Sequence, residues 1–575
     1  MLKIKGESDR KSGQGHRVFI RKFAFAFLVV AAFVYTGYAS CAHAFAIPTG
    51  NRDWTARFDS TLRYTLQYRV QNQDDAILNS PNGDDGDRNF DKGIVGNRVD
   101  FLEEFDLVYR PMNAGLRVSG AFWYDQAYNS GFDNDSVPTS NYFKDGVQSV
   151  NSLYDYADGR YAGPDGELLD LFVFGTFDAG TVPICVKLGR HIYSWGQVLL
   201  SPTHGINYGQ MPLDIAKAQA IPGVEVKELM RPQNSISSVI QLTPDLQIAG
   251  QYFFEWERNI LPAEGTYFGF TDVSFDGEGA LITGLGPTGV YTHGRDIEAD
   301  DTKDFGVSLQ YTVMSDTTFG LYYRKFSDRF PSLIVNIDPT DFSGKYHVAY
   351  QSDVDLYGLS VATSLFSWSL GAEISYRHNM PLNSTQQYIF SDASLPEEGE
   401  TLGAGGNVLF GVVNLMGLLK NSPFWDSGSW IVEFTYSRWL DLTSDPKSNL
   451  TGASLFKGAD DYTGFDKVSK DAAVLAVNFS PQWLQVLPGL DMSLPLSVNY
   501  GLWGVGSTFL SSGKGDGNAS AGVEFEFEQK YKLNFTYSHF FGKLGDNGTG
   551  SAVSRGNYGL YKDRNFISAT FKVSF

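Results

Sequence analysis

Five oxygen-bearing side chains crowd one short stretch, Asp84, Asp85, Asp87, Asn89 and Asp91, with Gly86 among them. Hard carboxylate and amide oxygens at this density could hold calcium, the glycine giving a tight turn. The spacing departs from the helix-flanked calcium loop, so a solvated acidic turn is the favoured reading of the same residues. Beyond residue 44 the histidines are His191, His204, His293, His347, His378 and His539. They are scattered, without the H-E-x-x-H or paired spacing of a zinc site. A Ser and a His on neighbouring strands could make a lipase, but chance supplies such pairs in a chain this rich in serine. No catalytic residue is nominated, catalysis is not expected, and calcium is the one cofactor considered.

A second class of polar residue sits at alternate positions. In the segment 54 to 70, Trp54, Ala56, Phe58, Leu62, Tyr64, Leu66, Tyr68 and Val70 share one parity. Arg57, Asp59, Thr61, Arg63, Thr65, Gln67 and Arg69 share the other. That period of two makes a strand with one apolar and one wet face, too long for a soluble sandwich, whose strands average about five or six residues. The next segment carries Arg98, Asp100, Glu104, Asp106 and Arg110 in the same way. If the sheet closes, these residues form a charged inner wall, either structural filling or the lining of a water path.

Seventeen similar segments follow, at about 94 to 110, 115 to 128, 167 to 178, 183 to 194, 233 to 243, 246 to 258, 303 to 314, 317 to 327, 353 to 364, 367 to 380, 404 to 418, 428 to 441, 471 to 481, 491 to 504, 518 to 528, 531 to 542 and 563 to 575. The fold class expected is all-β, a transmembrane antiparallel barrel of eighteen strands. Sixteen is the alternative, because 404 to 418 is apolar on both faces and Pro495 interrupts 491 to 504. Connectors alternate short and long, as periplasmic turns and extracellular loops do. Such a barrel satisfies every backbone polar group within lipid. Abundant Gly, Phe and Tyr (61, 43 and 31) suit an aromatic-girdled barrel.

Residues 1 to 44 read as a cleaved secretory signal: seven basic residues, an apolar run from Phe23 to about Tyr35, and the small-residue site Ala42-His43-Ala44 before Phe45. The run is too short to span a membrane as a helix. A lipoprotein signal at Cys41 is the lesser alternative, since Tyr38 stands where Leu is usual. Residues 45 to 575 then form one barrel domain in the bacterial outer membrane. Removing seven basic and two acidic residues from totals of 45 and 65 leaves 38 and 63, a balance of −25. This argues against nucleic acid as partner. Cys185 alone remains, which excludes an internal disulfide or a thiolate metal site. The final strand alternates Ile567, Ala569, Phe571, Val573 and Phe575 with polar residues; this ending looks like the signal by which outer-membrane barrels engage their assembly machinery. Outer-membrane lipid and lipopolysaccharide are the expected surroundings.

The first strand starts about ten residues after the cleavage site, leaving no room for an N-terminal plug. Any obstruction must come from a loop, and 195 to 232 is the candidate. It mixes Met211, Leu213, Ile215, Ile221 and Val224 with Asp214, Lys217, Glu225, Lys227 and, close by, Arg231. A loop facing only water has no need of such apolar residues, so it is expected to fold inward as a constriction. Arg190 and His191, at a strand end beside Trp195, are further pore candidates, with a structural hydrogen bond as the simpler role.

The run Asn82 to Gly93 followed by Asn97, Arg98, Val99, Asp100 and Glu104, the stretch Glu167 to Val173, and Val186 to His191 with Trp195-Gly196 together resemble the proteobacterial outer-membrane family of domain of unknown function 1302. The resemblance covers essentially the whole mature chain. It implies no settled substrate. It does imply a periplasmic lipid-carrier-like protein and an inner-membrane exporter as partners, and a setting of hydrophobic-compound catabolism. The expected function is a channel passing a hydrophobic or amphiphilic small molecule, gated by the inward loop. A general hydrophilic diffusion porin, or a structural or surface-interaction barrel with a sealed lumen, are the alternatives.

Overall fold

The computed structural model describes residues 45–221, 226–273, 275, 278–300, 303–314, 316–511, 513–546 and 551–575. The signal segment 1–44, Val224 and Glu225 lie outside the described residues. Eighteen antiparallel strands close into one barrel. The first six are β1 (Trp54–Arg69), β2 (Ile94–Tyr109), β3 (Ala114–Asp125), β4 (Asp165–Ala179), β5 (Val182–His191) and β6 (Gln233–Thr243). Next come β7 (Leu246–Phe253), β8 (Phe305–Val313), β9 (Thr317–Phe326), β10 (Val354–Leu365), β11 (Trp368–Pro381) and β12 (Gly405–Leu418). The last are β13 (Ser427–Ser444), β14 (Asp471–Leu487), β15 (Leu490–Ser493 continuing as Leu496–Trp503), β16 (Gly517–Phe527), β17 (Tyr531–Phe541) and β18 (Phe566–Ser574). Each strand pairs with the next, and β18 pairs with β1 in a register that sets Tyr64 opposite Phe571 and Leu62 opposite Val573. Closure leaves the ring without a first or last edge, the condition for spanning hydrocarbon.

The two faces follow the parity of the sequence. Leu321, Leu359, Ile374, Val413, Phe535 and Ile567 are exposed on the outer wall, where lipid covers them. Ser360, Glu373, Arg377, Asn414, Glu433 and Thr435, at the other parity, are buried. No helix among the described residues is long and apolar enough to cross a membrane. The closed barrel with its apolar outer belt is that of a bacterial outer-membrane protein.

Both doubtful segments are strands. β15 breaks at Leu494 and Pro495 because proline has no N–H to give the ladder, yet both pieces pair with β14 and β16. On β12 the inward Val408, Phe410 and Val412 are buried. Its second apolar face therefore has an internal partner. That partner includes Ile206, Tyr208, Phe326, Phe330, Val354, Leu356, Met380 and Phe456. Loops at the extracellular end add a small sheet of Ala280–Ile282, Val290–His293, Gly344–Ala349, Ser332–Ile337 and Gln387–Ile389.

Candidate functional site

The loop 192–232 leaves β5 and runs against the inner faces of opposite walls. Its first arm, Trp195 to Gly209, is held by charged side chains that grip backbone. On β11, Glu373 accepts from the N–H groups of Gln197 and, at 2.8 Å, Ile206. On β13, Glu433 accepts from Leu199 and Leu200 at 2.7 and 3.0 Å. Arg324 of β9 donates to the carbonyls of Ile206 and Tyr208 at 3.0 and 2.5 Å. Arg377 of β11 donates to those of Thr203 and Gly205 at 3.1 and 2.8 Å, its guanidinium lying 3.9 Å from the Phe410 ring centre. The loop comes close at two wall glycines: a Cβ on Gly306 of β8 would meet Trp195 Cζ3 at 2.6 Å, and one on Gly358 of β10 would meet Ile206 Cγ1 at 2.9 Å.

The second arm carries the short helices Ile215–Ala220 and Val226–Leu229 and is held by ion pairs instead. Glu228 takes a bidentate pair from Arg63 of β1 at 2.8 and 2.9 Å, and Arg63 also faces Asp100 of β2 at 3.5 Å. Arg98 pairs with Asp100 at 2.8 Å. Lys217 bridges Glu167 of β4 and Asp214, and Arg160, from the preceding loop, pairs with Asp214. Arg231 reaches Glu167 at 3.6 Å and Glu257 at 2.8 Å. The loop thus has one arm bonded to β9, β11 and β13 and the other to β1 and β4.

Between the second arm and the wall lies a cavity of about 30 Å³, room for one or two waters. Arg98, Arg160 and Lys217 surround Trp123 at 5.2, 5.4 and 4.9 Å from the ring centre, a cation–π cluster. Val95, Tyr128, Tyr161, Ala216, Ile221, Tyr267 and Phe268 add apolar and aromatic lining, and the acidic Asp125 and Asp214 line the same space.

The predicted pore residues divide. Arg63, Arg98, Asp100, Asp214, Lys217 and Arg231 come together as described; of Lys227 the backbone alone is described. Arg57 stands opposite Asp106, pairs with Asp59 and is largely exposed. Glu104 and Asp106 belong to a separate group around Arg117 of β3, which also meets Asp170. Trp195 is buried in the apolar cluster of the first arm, its backbone N–H donating to Gln210 Oε1 at 3.0 Å. His191 bonds Ser237 Oγ at 2.6 Å and the Gly189 carbonyl at 2.9 Å, the structural role. Arg190 meets Glu255 and Glu257 at the rim. Sequence reasoning missed Glu373, Arg377, Glu433, Arg324 and Arg160. The first four carried the cue that flagged Arg57 and Arg63, a charge on the inward parity of a strand.

The acidic run does not converge on one point. Asp87 pairs with Arg69 at 2.6 Å and Arg564 at 3.7 Å, Asp84 with Arg88, and Asp91 accepts from Gln73 at 2.6 Å. Asn89 donates to the Gly265 carbonyl at 2.8 Å. Among the described residues no three His, Cys, Asp or Glu side chains are placed to hold a metal ion. Asp84, Asp85, Asp87 and Asn89 are buried rather than solvated, and Asp91 is exposed. Gly86 serves close approach rather than a turn: a Cβ there would sit 2.3 Å from the Thr266 carbonyl oxygen. Asp272 instead joins Asp84 and Asp85, accepting from the Asp85 N–H at 3.2 Å.

Burial, reinforced by Asp84, pushes the Asp85 carboxyl up to about 7. Burial, then Asp85 and Asp84, push Asp272 well above the ordinary range, against the opposing pull of Arg564. A raised carboxyl holds its proton in the folded state after the unfolded chain, at about 4, has lost it. The stability it contributes is complete at low pH, declines as pH rises from about 4 to about 7, and is gone above that. Amide exchange in 83–90 and 266–273, corrected for intrinsic rate, is therefore expected to be faster at pH 8 than at pH 5. Equal protection at both would contradict the assignment.

A family described as a protein of unknown function, DUF1302, matches residues 24–575. The chain belongs to the DUF1302 family. No curated protein matches the DUF1302 chain. Solved structures similar to it include OpdK of Pseudomonas aeruginosa with vanillate, at 10% identity and a TM-score of 0.39, covering 90% of this chain and 98% of that one. OccAB1 of Acinetobacter baumannii is similar at 11% identity and a TM-score of 0.41, covering 90% and 96%. OccK9 (OpdG) of Pseudomonas aeruginosa is similar at 12% identity and a TM-score of 0.40, covering 90% and 98%.

Proposed function

We propose that this DUF1302 protein is an outer-membrane channel for an amphiphilic or hydrophobic small molecule, closed at rest by the loop 192–232. The observation that carries the reading is the loop's two-sided attachment, one arm on β9, β11 and β13 and the other on β1 and β4. Its two arms are fastened to opposite walls, and the cavity beside Trp123, about 30 Å³ while the loop is in place, has room only for water until the loop moves. Passage therefore requires the loop to move, and a general hydrophilic diffusion porin fits poorly. The cationic and aromatic lining of the cavity favours an anionic amphiphile over a sugar. In this reading a periplasmic lipid-carrier-like protein and an inner-membrane exporter are its partners, and the C-terminal strand is its contact with the assembly machinery.

A second reading, a sealed barrel whose acidic loops are the working surface, is favoured by the same two-sided fastening. Proteoliposomes separate the two. The channel reading expects influx of an alkyl or aromatic carboxylate at least tenfold above protein-free vesicles, with no swelling in arabinose. Swelling in arabinose at a porin's rate would sink it in favour of diffusion, and influx of neither solute would favour the sealed barrel.

A further inference from the structure

The barrel wall is not equally tall all round. β4 is paired with β3 from its first residue, Asp165 opposite Trp123 and Leu168 opposite Gly120. On its other side it meets β5 only from Leu171, opposite Arg190. β5 ends at His191 beside Gln233, the first residue of β6, and β7 ends at Phe253 beside Ser235. Residues Asp165 to Asp170 thus have a strand on one side only, a free edge of roughly 20 Å at about 3.3 Å per residue. Free edges are what a closed barrel otherwise abolishes.

Side chains, not backbone ladder, bridge this notch. Arg190 Nε donates to the Leu168 carbonyl at 3.3 Å and its guanidinium pairs with Glu257 at 2.5 Å. Glu257 pairs with Arg231, and Arg231 faces Glu167. The last contact is loose: at 3.6 Å, Glu167 Oε2 and Arg231 Nε are buried, and neither makes a hydrogen bond among the described residues. Outside the notch, Phe122, Leu168, Leu171 and Leu188 are exposed apolar side chains. Inside it, Glu167 holds Lys217, which lines the cavity beside Trp123. The outward Tyr124 of β3, its hydroxyl donating to Gln126 Oε1 at 2.8 Å, follows Trp123, the partner of Asp165, and so lies nearer the extracellular end than Leu168, whose partner is Gly120. As an interfacial aromatic, it sets the notch at the level of the outer leaflet.

We propose that the notch between β4 and β5 is a lateral portal, through which the apolar end of an anionic amphiphile moves between the Trp123 cavity and the outer leaflet. Glu167, Arg231, Glu257 and Arg190 form its latch. The charged chain is matched to the polar end of the cargo, and the free edge and surrounding leucines to its apolar end. The inference rests on the channel reading above.

The test uses single cysteines in the Cys185→Ser protein freed of residues 1–44, and so of Cys41, at Leu168→Cys in the notch and at Val173→Cys on the same strand below it. Both positions are exposed on the outer wall, so neither substitution disturbs packing. After labelling with a bulky maleimide, influx of an alkyl carboxylate into proteoliposomes is expected to fall at least tenfold for Leu168→Cys and to stay within twofold for Val173→Cys. Equal influx for both labelled proteins, or an equal fall, overturns the portal while leaving the channel standing. Absence of influx in the unlabelled proteins overturns both.

Discussion

Replacing Glu373 and Glu433 together by alanine is expected to turn a silent barrel into a conducting one. The two carboxylates accept four backbone N–H groups of the first loop arm, and hydrogen bonds to charged groups contribute about 1.5–3 kcal/mol each. Water recovers much of that once the loop is free. Even so, a net loss of about 3 kcal/mol raises the population of the released loop roughly 10²-fold, at 1.4 kcal/mol per decade. Arg324 and Arg377 hold carbonyls of the same arm, so the double variant loosens the arm without freeing it from the wall entirely. The expected record is step conductance in the double variant under conditions where the native protein gives none. A silent double variant that still folds, judged by heat-modifiable mobility, would show that the first arm is not the fastening.

The largest expected loss of stability lies at the seam where the chain's ends meet. Arg69, the last residue of β1, is fully buried. It bonds Asp87 at 2.6 Å, the Phe90 carbonyl at 2.6 Å and the Asp563 carbonyl at 3.0 Å. Removing one member of a buried ion pair strands the other, at a cost of about 3–5 kcal/mol. Here it strands Asp87, whose remaining ion-pair contact, Arg564, is 3.7 Å away. Arg69→Ala should lower the free energy of unfolding in urea by about that amount. Arg57→Ala, at the exposed end of the same strand, should change it by less than about 1 kcal/mol, as surface pairs do. Similar losses for both would mean that burial of Arg69 adds nothing.

The barrel was legible in the sequence because a period of two is an almost direct statement of strand geometry when one face must meet lipid and the other must not. Even Pro495 interrupted a ladder without removing a strand. The apolar residues of 210 to 221 read as needing cover for a related reason, and Met211 and Ile221 are buried. What stayed hidden depends on contacts between distant parts of the chain. The acidic run has calcium-like composition, but the partners of Asp87 at its centre are Arg69 and Arg564, which no local spacing reveals. Val408, Phe410 and Val412 looked like a flaw in the pattern until the loop that covers them was placed. The grip of Glu373 and Glu433 on backbone leaves no trace in the loop's own side chains, since any residue offers the same N–H. The signal available was an unpaired acid at inward parity, and it lay on the wall, not on the loop.

Single-channel conductance of the purified, refolded protein in planar bilayers, with and without residues 210 to 228, tests the central claim most directly. A closed loop predicts silence from the intact chain and steady conductance from the deletion. Large, steady conductance from the intact chain would contradict it and make this an open, water-filled pore.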